Sequence, residues 1–134
     1  MKVKEVAQKV QQDLVKLGYE VVIAGSLRRG LDSSHDVDLV VVDPVKHGTK
    51  ETKMVMGVPV DLYYTNRESY GAMLMFTTGP QGYNIGYRVK AKKSGMLLNQ
   101  YGLWKDGKMI AGRTEEEIYQ ALGKEYKEPH LRGL

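Results

Sequence analysis

Residues 24–43 read AGSLRRGLDSSHDVDLVVVD, and this stretch decides the fold. The run from Val37 to Val42 has the β-branched density of a strand entering a core. Yet Asp36 and Asp38 stand two apart at its start, just after a Gly-Ser-x-Arg-Arg-Gly turn. Alternation puts residues i and i+2 of a strand on one face, their side chains ~7 Å apart. Two unpaired carboxylates so placed repel each other, and desolvation raises the pKa of each. A divalent cation removes the conflict, and oxygen-only ligands point to Mg²⁺ or Mn²⁺ rather than zinc. A bare D-x-D more often decorates a solvated face. Here Val40 and Val42 continue the Asp face as apolar residues, so that face turns inward beyond the pair.

The flanks extend the pattern in both directions. Upstream, Val3, Val6, Ala7, Val10, Leu14 and Leu17 recur at three- and four-residue steps, the stripe of an amphipathic helix closed by Gly18. YEVVIAG (19–25) reads as a short strand ending at Gly25, and SLRRG as a turn or one helical turn. Downstream, TKMVM (52–56) and VPVDLYY (58–64) flank Gly57 as a hairpin. Asp61, between Val60 and Leu62, places a third charge where an apolar residue is expected, on a strand next to that of Asp38. Three carboxylates on neighbouring strands suit a pair of metals that activate an attacking oxygen and steady a leaving phosphate oxygen.

From Arg67 the period changes. RESYGAMLMFTTG (67–79) and YNIGYRVKAKKSG (83–95) have helical spacing, the second basic on one side through Arg88, Lys90, Lys92 and Lys93. MLLNQYGLW (96–104), a Lys105-Asp106-Gly107 turn and KMIAG (108–112) predict one small hairpin, since Asp-Gly favours the tight turn. Thr114 and Glu117 form a capping box that opens EEEIYQAL (115–122). The class is α+β, or mixed α/β. The chain has 134 residues, 42% of them hydrophobic, which suits one compact domain with a real core. No apolar run reaches the ~18 residues of a membrane span, and MKVKEVAQKVQQ is too polar for a signal peptide, so no membrane and a cytoplasmic location are expected. The absence of cysteine excludes disulfides and thiolate metal sites, and a net charge of +4 favours polyanionic partners.

The Gly-Ser turn completes the opening stretch. Gly25 lets the backbone approach a ligand, Ser26 brings a hydroxyl and an N–H, and a guanidinium fork matches phosphate oxygens. Of Arg28 and Arg29 only one can point into a given site. Neither GS nor RR is a signal alone. Together with D-x-D ten residues after the Ser, they set phosphate grips beside metal grips, as nucleotidyl transfer requires.

GSLRRGLDSSHDVDL resembles the nucleotidyltransferase signature of the DNA polymerase beta superfamily, and in its detail family X DNA polymerases. The likeness continues through Asp61, Thr78-Gly79, Asn84, Arg88, LNQYGLW (98–104), Tyr126, Glu128-Pro129 and Arg132, covering residues 20–132 or so. It implies a nucleotidyltransferase palm with a mixed sheet flanked by helices over residues 1–66. Residues 67–134 would be a C-terminal nucleotide- and template-binding subdomain. It also implies that Asp36, Asp38 and Asp61 bind two Mg²⁺ ions, for which Mn²⁺ substitutes, and that Asp61 helps activate the primer 3′-hydroxyl. Gly25, Ser26 and Arg29 would grip the triphosphate of a dNTP. Phe76, Thr77 and Gly79 would pack the sugar, Asn84 would reach the base edge, and Arg88, with Lys90 and Lys92, would contact the DNA template.

Some positions depart from the family. His35 stands where a small residue is frequent, Thr77 where an aromatic residue is frequent, and Gln81 and Pro59 replace residues that contact nucleotide or primer. Family members usually carry N-terminal helix-hairpin-helix domains, whereas this chain begins one helix before the signature. Lys46, Lys50 and Lys53 on the hairpin and the basic helix are therefore expected to supply most phosphate contacts, or a separate subunit to hold the DNA. Three functions compete at this stage. The first is a distributive, gap-filling DNA polymerase acting on a primer-template. The second is a small nucleotidyltransferase acting on a protein, RNA or small molecule, and the third a non-catalytic nucleic-acid-binding remnant. The segment from Asp61 to Asn99 favours the first, and the three carboxylates disfavour the third.

Overall fold

The computed structural model describes residues 2–31 and 34–134, and the middle of the signature loop, residues 32 and 33, lies outside them. The chain divides into two compact units, residues 1–66 and 67–134. Both mix helix and sheet, so the α+β expectation holds. Among the described residues no helix is long and apolar enough to cross a membrane.

In the first unit α1 (Val3–Lys16) precedes β1 (Glu20–Ile23), the short α2 (Gly25–Arg28), β2 (Val37–Val42), β3 (Lys50–Val55) and β4 (Val58–Thr65). The sheet order is β1-β2-β4-β3, with β2 parallel to β4 and the outer pairs antiparallel. Strand alternation sorts its two faces. Val21, Val37, Leu39, Val41, Val58, Val60, Leu62 and Tyr64 form a core with Val6 and Ala7 of α1, against which Val3, Val10 and Leu14 also pack. The other face carries Asp38, Val40, Asp61 and Tyr63, and Val40 is fully buried there, as the inward turn beyond the Asp pair requires.

Local details correct two expected boundaries. Leu17 is 75% exposed and outside the core stripe, because α1 ends there and Gly18, at φ +96°, turns the chain away. β1 stops at Ile23, not at Gly25: Gly25, at φ +63°, opens α2 instead. The β3–β4 turn is Met56-Gly57 with both residues at positive φ, which is the two-residue hairpin turn whose twist matches the strands.

In the second unit, α3 (Tyr70–Thr78) and α4 (Gln81–Lys93) are followed by β5 (Leu97–Asn99), β6 (Gly102–Lys105) and β7 (Lys108–Ala111), then α5 (Glu115–Ala121). The single hairpin expected over 96–112 is a three-stranded antiparallel sheet. Asn99 supplies the extra turn. Its Oδ1 accepts from the N–H of Tyr101 (2.9 Å) and Gly102 (3.1 Å) and from Trp104 Nε1 (3.2 Å), folding MLLNQYGLW back on itself. Thr114 Oγ1 accepts from Glu117 N at 3.1 Å, as the capping pattern predicts. α3 lies so close to the α5 entry that a Cβ on Gly71 would sit 2.3 Å from the Thr114 carbonyl carbon.

Candidate active site

The first unit brings two of the three carboxylates into register. Asp38 on β2 and Asp61 on β4 are directly opposite in the parallel pair. Across β4 on the other side, Thr52 is opposite Asp61 and Lys50 opposite Tyr63. Thr52 Oγ1 donates to Asp61 Oδ1 at 2.7 Å, and Lys50 Nζ stands 3.8 Å from Asp61 Oδ2 and 5.1 Å from the centre of the Tyr63 ring. Asp61 thus has one oxygen held by a neutral donor and the other facing a cation.

Gly25 supports the other carboxylate, Asp38, from the β1 side. Ala24 N donates to Asp38 O at 2.8 Å, which draws the start of α2 onto β2. A Cβ on Gly25 would fall 2.3 Å from Asp38 Oδ2, so only glycine leaves that oxygen its place. Ser26 Oγ shares a hydrogen bond with Ser34 Oγ, tying the turn to the far end of the signature loop. The two arginines separate as their adjacency demands. Arg29 bears electrostatically on Asp38, whereas Arg28 lines a cavity of about 270 Å³ with Lys4, Gln8 and Leu27.

Burial, then the charges of Asp36 and Asp61, push the Asp38 carboxyl up to about 6, with Lys50 and Arg29 opposing. Burial and then the Asp38 charge also raise the Tyr63 hydroxyl. Asp36 lies in the bend ahead of β2 and is exposed. Among the described residues no group of three or more His, Cys, Asp or Glu side chains is drawn together as a metal-holding cluster. The donor set nevertheless suits a hard divalent cation. It is all oxygen, and the Asp38–Asp61 pair is partly desolvated with like charges facing each other.

The expected phosphate-binding lysines do not share a face. Lys46 is in the loop before β3 with its ammonium 4.8 Å from the Tyr64 ring centre, Lys50 faces Asp61, and Lys53 pairs with Glu51 at 3.6 Å on the opposite side of the sheet. Thr52, unremarked in the sequence, could have been found. A two-residue turn at 56–57 fixes the register and sets 52 against 61.

In the second unit Phe76, at the end of α3, lies 5.4 Å from the Arg88 guanidinium of α4. Both line a small cleft with Asn84, Ala72, Met75, Leu98 and Asn99. Asn84 is buried. Its Nδ2 donates to Met75 O (3.1 Å) and Phe76 O (3.2 Å), closing the end of α3, while Oδ1 has no hydrogen-bond partner among the described residues. Thr77 Oγ1 donates to Met73 O at 2.8 Å, so its hydroxyl is turned back on its own helix. Gly79, buried, makes the break between α3 and α4 at φ +62°. The cations of α4 are not on one side. Lys90 lies on the Gly82 and Gly86 face, ~200° around the helix from Arg88.

The C-terminal likeness proves structural. Arg132 and Glu115 form a buried ion pair at 2.7 Å, and the Arg132 guanidinium lies 5.6 Å from the Tyr119 ring centre and 5.4 Å from that of Tyr126. Tyr83, Tyr87 and Tyr119 join their hydroxyls beside it, at 3.2 and 2.8 Å.

Residues 1–84 match the family model described as DNA polymerase beta palm, and residues 73–133 that described as DNA polymerase beta thumb. "Repair DNA polymerase X" of African swine fever virus, isolate Tick/Malawi, is 30% identical over a 144-residue alignment that covers 87% of this chain and 83% of that protein. The protein of the same name from the Badajoz strain is also 30% identical over the same shares. "DNA polymerase IV" of Saccharomyces cerevisiae is 28% identical over 75 residues, which cover 56% of this chain and 13% of that protein.

Proposed function

This chain belongs to the DNA polymerase beta family, family X, and is a DNA polymerase, and from that premise we propose that it adds dNTPs to a primer 3′-hydroxyl along a DNA template at Asp36, Asp38 and Asp61. The observation that carries this reading is the Asp38–Asp61 pair, held in register on parallel strands with Gly25 against one carboxylate and Thr52 on the other. The three carboxylates would hold two Mg²⁺ ions, which activate the attacking oxygen and neutralise charge on the transferred phosphate.

The protein's own groups have separable tasks. Thr52 fixes the Asp61 carboxylate, so the oxygen that faces the primer end does not rotate. Arg29 and Ser26 take the triphosphate, and Arg29 offsets charge beside Asp38. In residues 67–134 Phe76, Thr77, Gly79 and Asn84 take the nucleotide, and Arg88, with Lys92 one turn on, takes the template; Lys90, expected with them, lies on the opposite side of α4. Asn84 Oδ1, buried and without a partner among the described residues, is the acceptor left over for the nucleotide. Lys46, Lys50 and Lys53 do not share a face, which supports weak, salt-sensitive binding, hence distributive synthesis on short gaps.

Primer extension on gapped and open templates with Mg²⁺ at low salt tests the reading. Template-directed extension that disappears in Asp61→Ala is expected. Nucleotide labelling of a protein or small acceptor without primer extension would overturn it in favour of a different nucleotidyltransferase.

A further inference from the structure

The second unit has a groove that its folding does not explain. It has a volume of about 450 Å³ and is lined by Gly82, Tyr83, Gly86, Tyr87 and Lys90 of α4 and by Lys124. Gly86 sits in the interior of α4, where glycine is destabilising by about 1 kcal/mol relative to alanine. No packing demands it. A Cβ on Gly86 or on Gly82 would meet nothing within 4 Å, and neither is at positive φ. The two glycines leave bare helix backbone at the floor of an open space.

The walls are cationic and aromatic. Lys90 and Lys124 line the groove, and Lys127 places its ammonium 5.8 Å from the Tyr83 ring centre. Among the described residues no carboxylate lines it. Burial pushes the Tyr83 hydroxyl up to about 12 and the Tyr87 hydroxyl higher still, so both phenols remain neutral beside an anion. Because this face is turned away from Arg88, Phe76 and Asn84, it is separate from the nucleotide- and template-contacting face described above.

We propose that this groove binds a single-stranded segment of DNA, its phosphates on Lys90, Lys124 and Lys127 and its bases against Tyr83, Tyr87 and the bare Gly82–Gly86 surface. The proposal rests on DNA being the substrate, and it adds a second contact for that substrate. Positive charge around aromatic rings is the chemistry that holds unpaired strands without sequence preference. A duplex hides its base faces and offers this floor nothing to stack. Glycine is the residue that lets a nucleotide lie against the helix backbone.

The test is fluorescence anisotropy of labelled oligothymidylate, and of a blunt duplex, bound to the full chain across a range of potassium chloride. Replacing Lys90, Lys124 and Lys127 by Gln together should weaken oligothymidylate binding about tenfold or more. The slope of log K against log salt should become shallower by about 2, from roughly 0.7 per phosphate contact over three contacts. Gly86→Leu should raise the melting temperature, since it improves the helix, while weakening oligothymidylate binding with the slope unchanged. The inference is overturned if either variant binds oligothymidylate as the wild type does, or if the losses fall on the duplex alone. Primer extension is run in parallel. Wild-type oligothymidylate binding without extension overturns the polymerase reading and leaves the groove standing, and extension without oligothymidylate binding does the reverse.

Discussion

Asp38→Asn should stabilise the metal-free protein while abolishing turnover. Asp38 is raised from 3.8 to about 6, first by burial and then by Asp36 and Asp61. That is about 2 units, or about 3 kcal/mol at 1.36 kcal/mol per unit, and because the side chain keeps some contact with water we halve it to about 1.5 kcal/mol. For an acid with a raised folded-state pKa, the unfolded chain gives up its proton more readily. The penalty is therefore absent below the unfolded value, builds between about 4 and 6, and is complete above that. Asparagine carries no charge and escapes it at every pH. Thermal melting in a chelator at pH 8 should show the variant higher by about 3–6 °C, and at pH 5 about half of that gain should remain. Magnesium should raise the wild-type melting temperature at pH 8 and leave that of the variant nearly unmoved, since a ligand of the folded state stabilises by mass action. A variant no more stable than wild type at pH 8, or a gain that does not shrink at pH 5, would refute the reasoning.

Two further outcomes follow from particular contacts. Thr52→Val removes the donor to Asp61 Oδ1, so single-turnover kinetics should show kcat lower by about tenfold with the KM for dNTP little changed and stability within about 1 kcal/mol of wild type. An unaltered kcat would show that Asp61 is oriented by other groups. Arg132→Met removes the cation paired with buried Glu115, and urea unfolding followed by Trp104, the single tryptophan, should lose about 3–5 kcal/mol, part of it regained when Glu115→Gln is added.

Much of this was legible in the chain itself. The strands β2 and β4, the helices α3 and α4 and the capped α5 follow from hydrophobic period and turn chemistry, which are local. Asp38 and Asp61 stood out because charge broke an apolar pattern. Thr52 and Lys50 did not, since nothing about a threonine or a lysine in an exposed strand is unusual until its cross-strand partner is known. The placement of the lysines was hidden for the same reason. Lys53 and Lys50 are three residues apart and lie on opposite faces of one strand, so a count of positive charge could not tell a phosphate grip from a partner of Glu51. Asn99 was read as family likeness, and its three-way acceptance shows why that position is an Asn: it folds two strands out of one.

Sequence alone determined the family, the mixed architecture, and which carboxylates carry unusual charge, because each depends on residue type and spacing along the chain. Tertiary structure decided what those groups face. Strand pairing set Asp38 opposite Asp61 and Thr52 beyond it, close approach made Gly25 obligatory, and helix rotation sent Lys90 to one side of α4 and Arg88 to the other. Charge, by contrast with hydrophobic period, acts through distance in space, and neighbours in space are set only when the chain has folded.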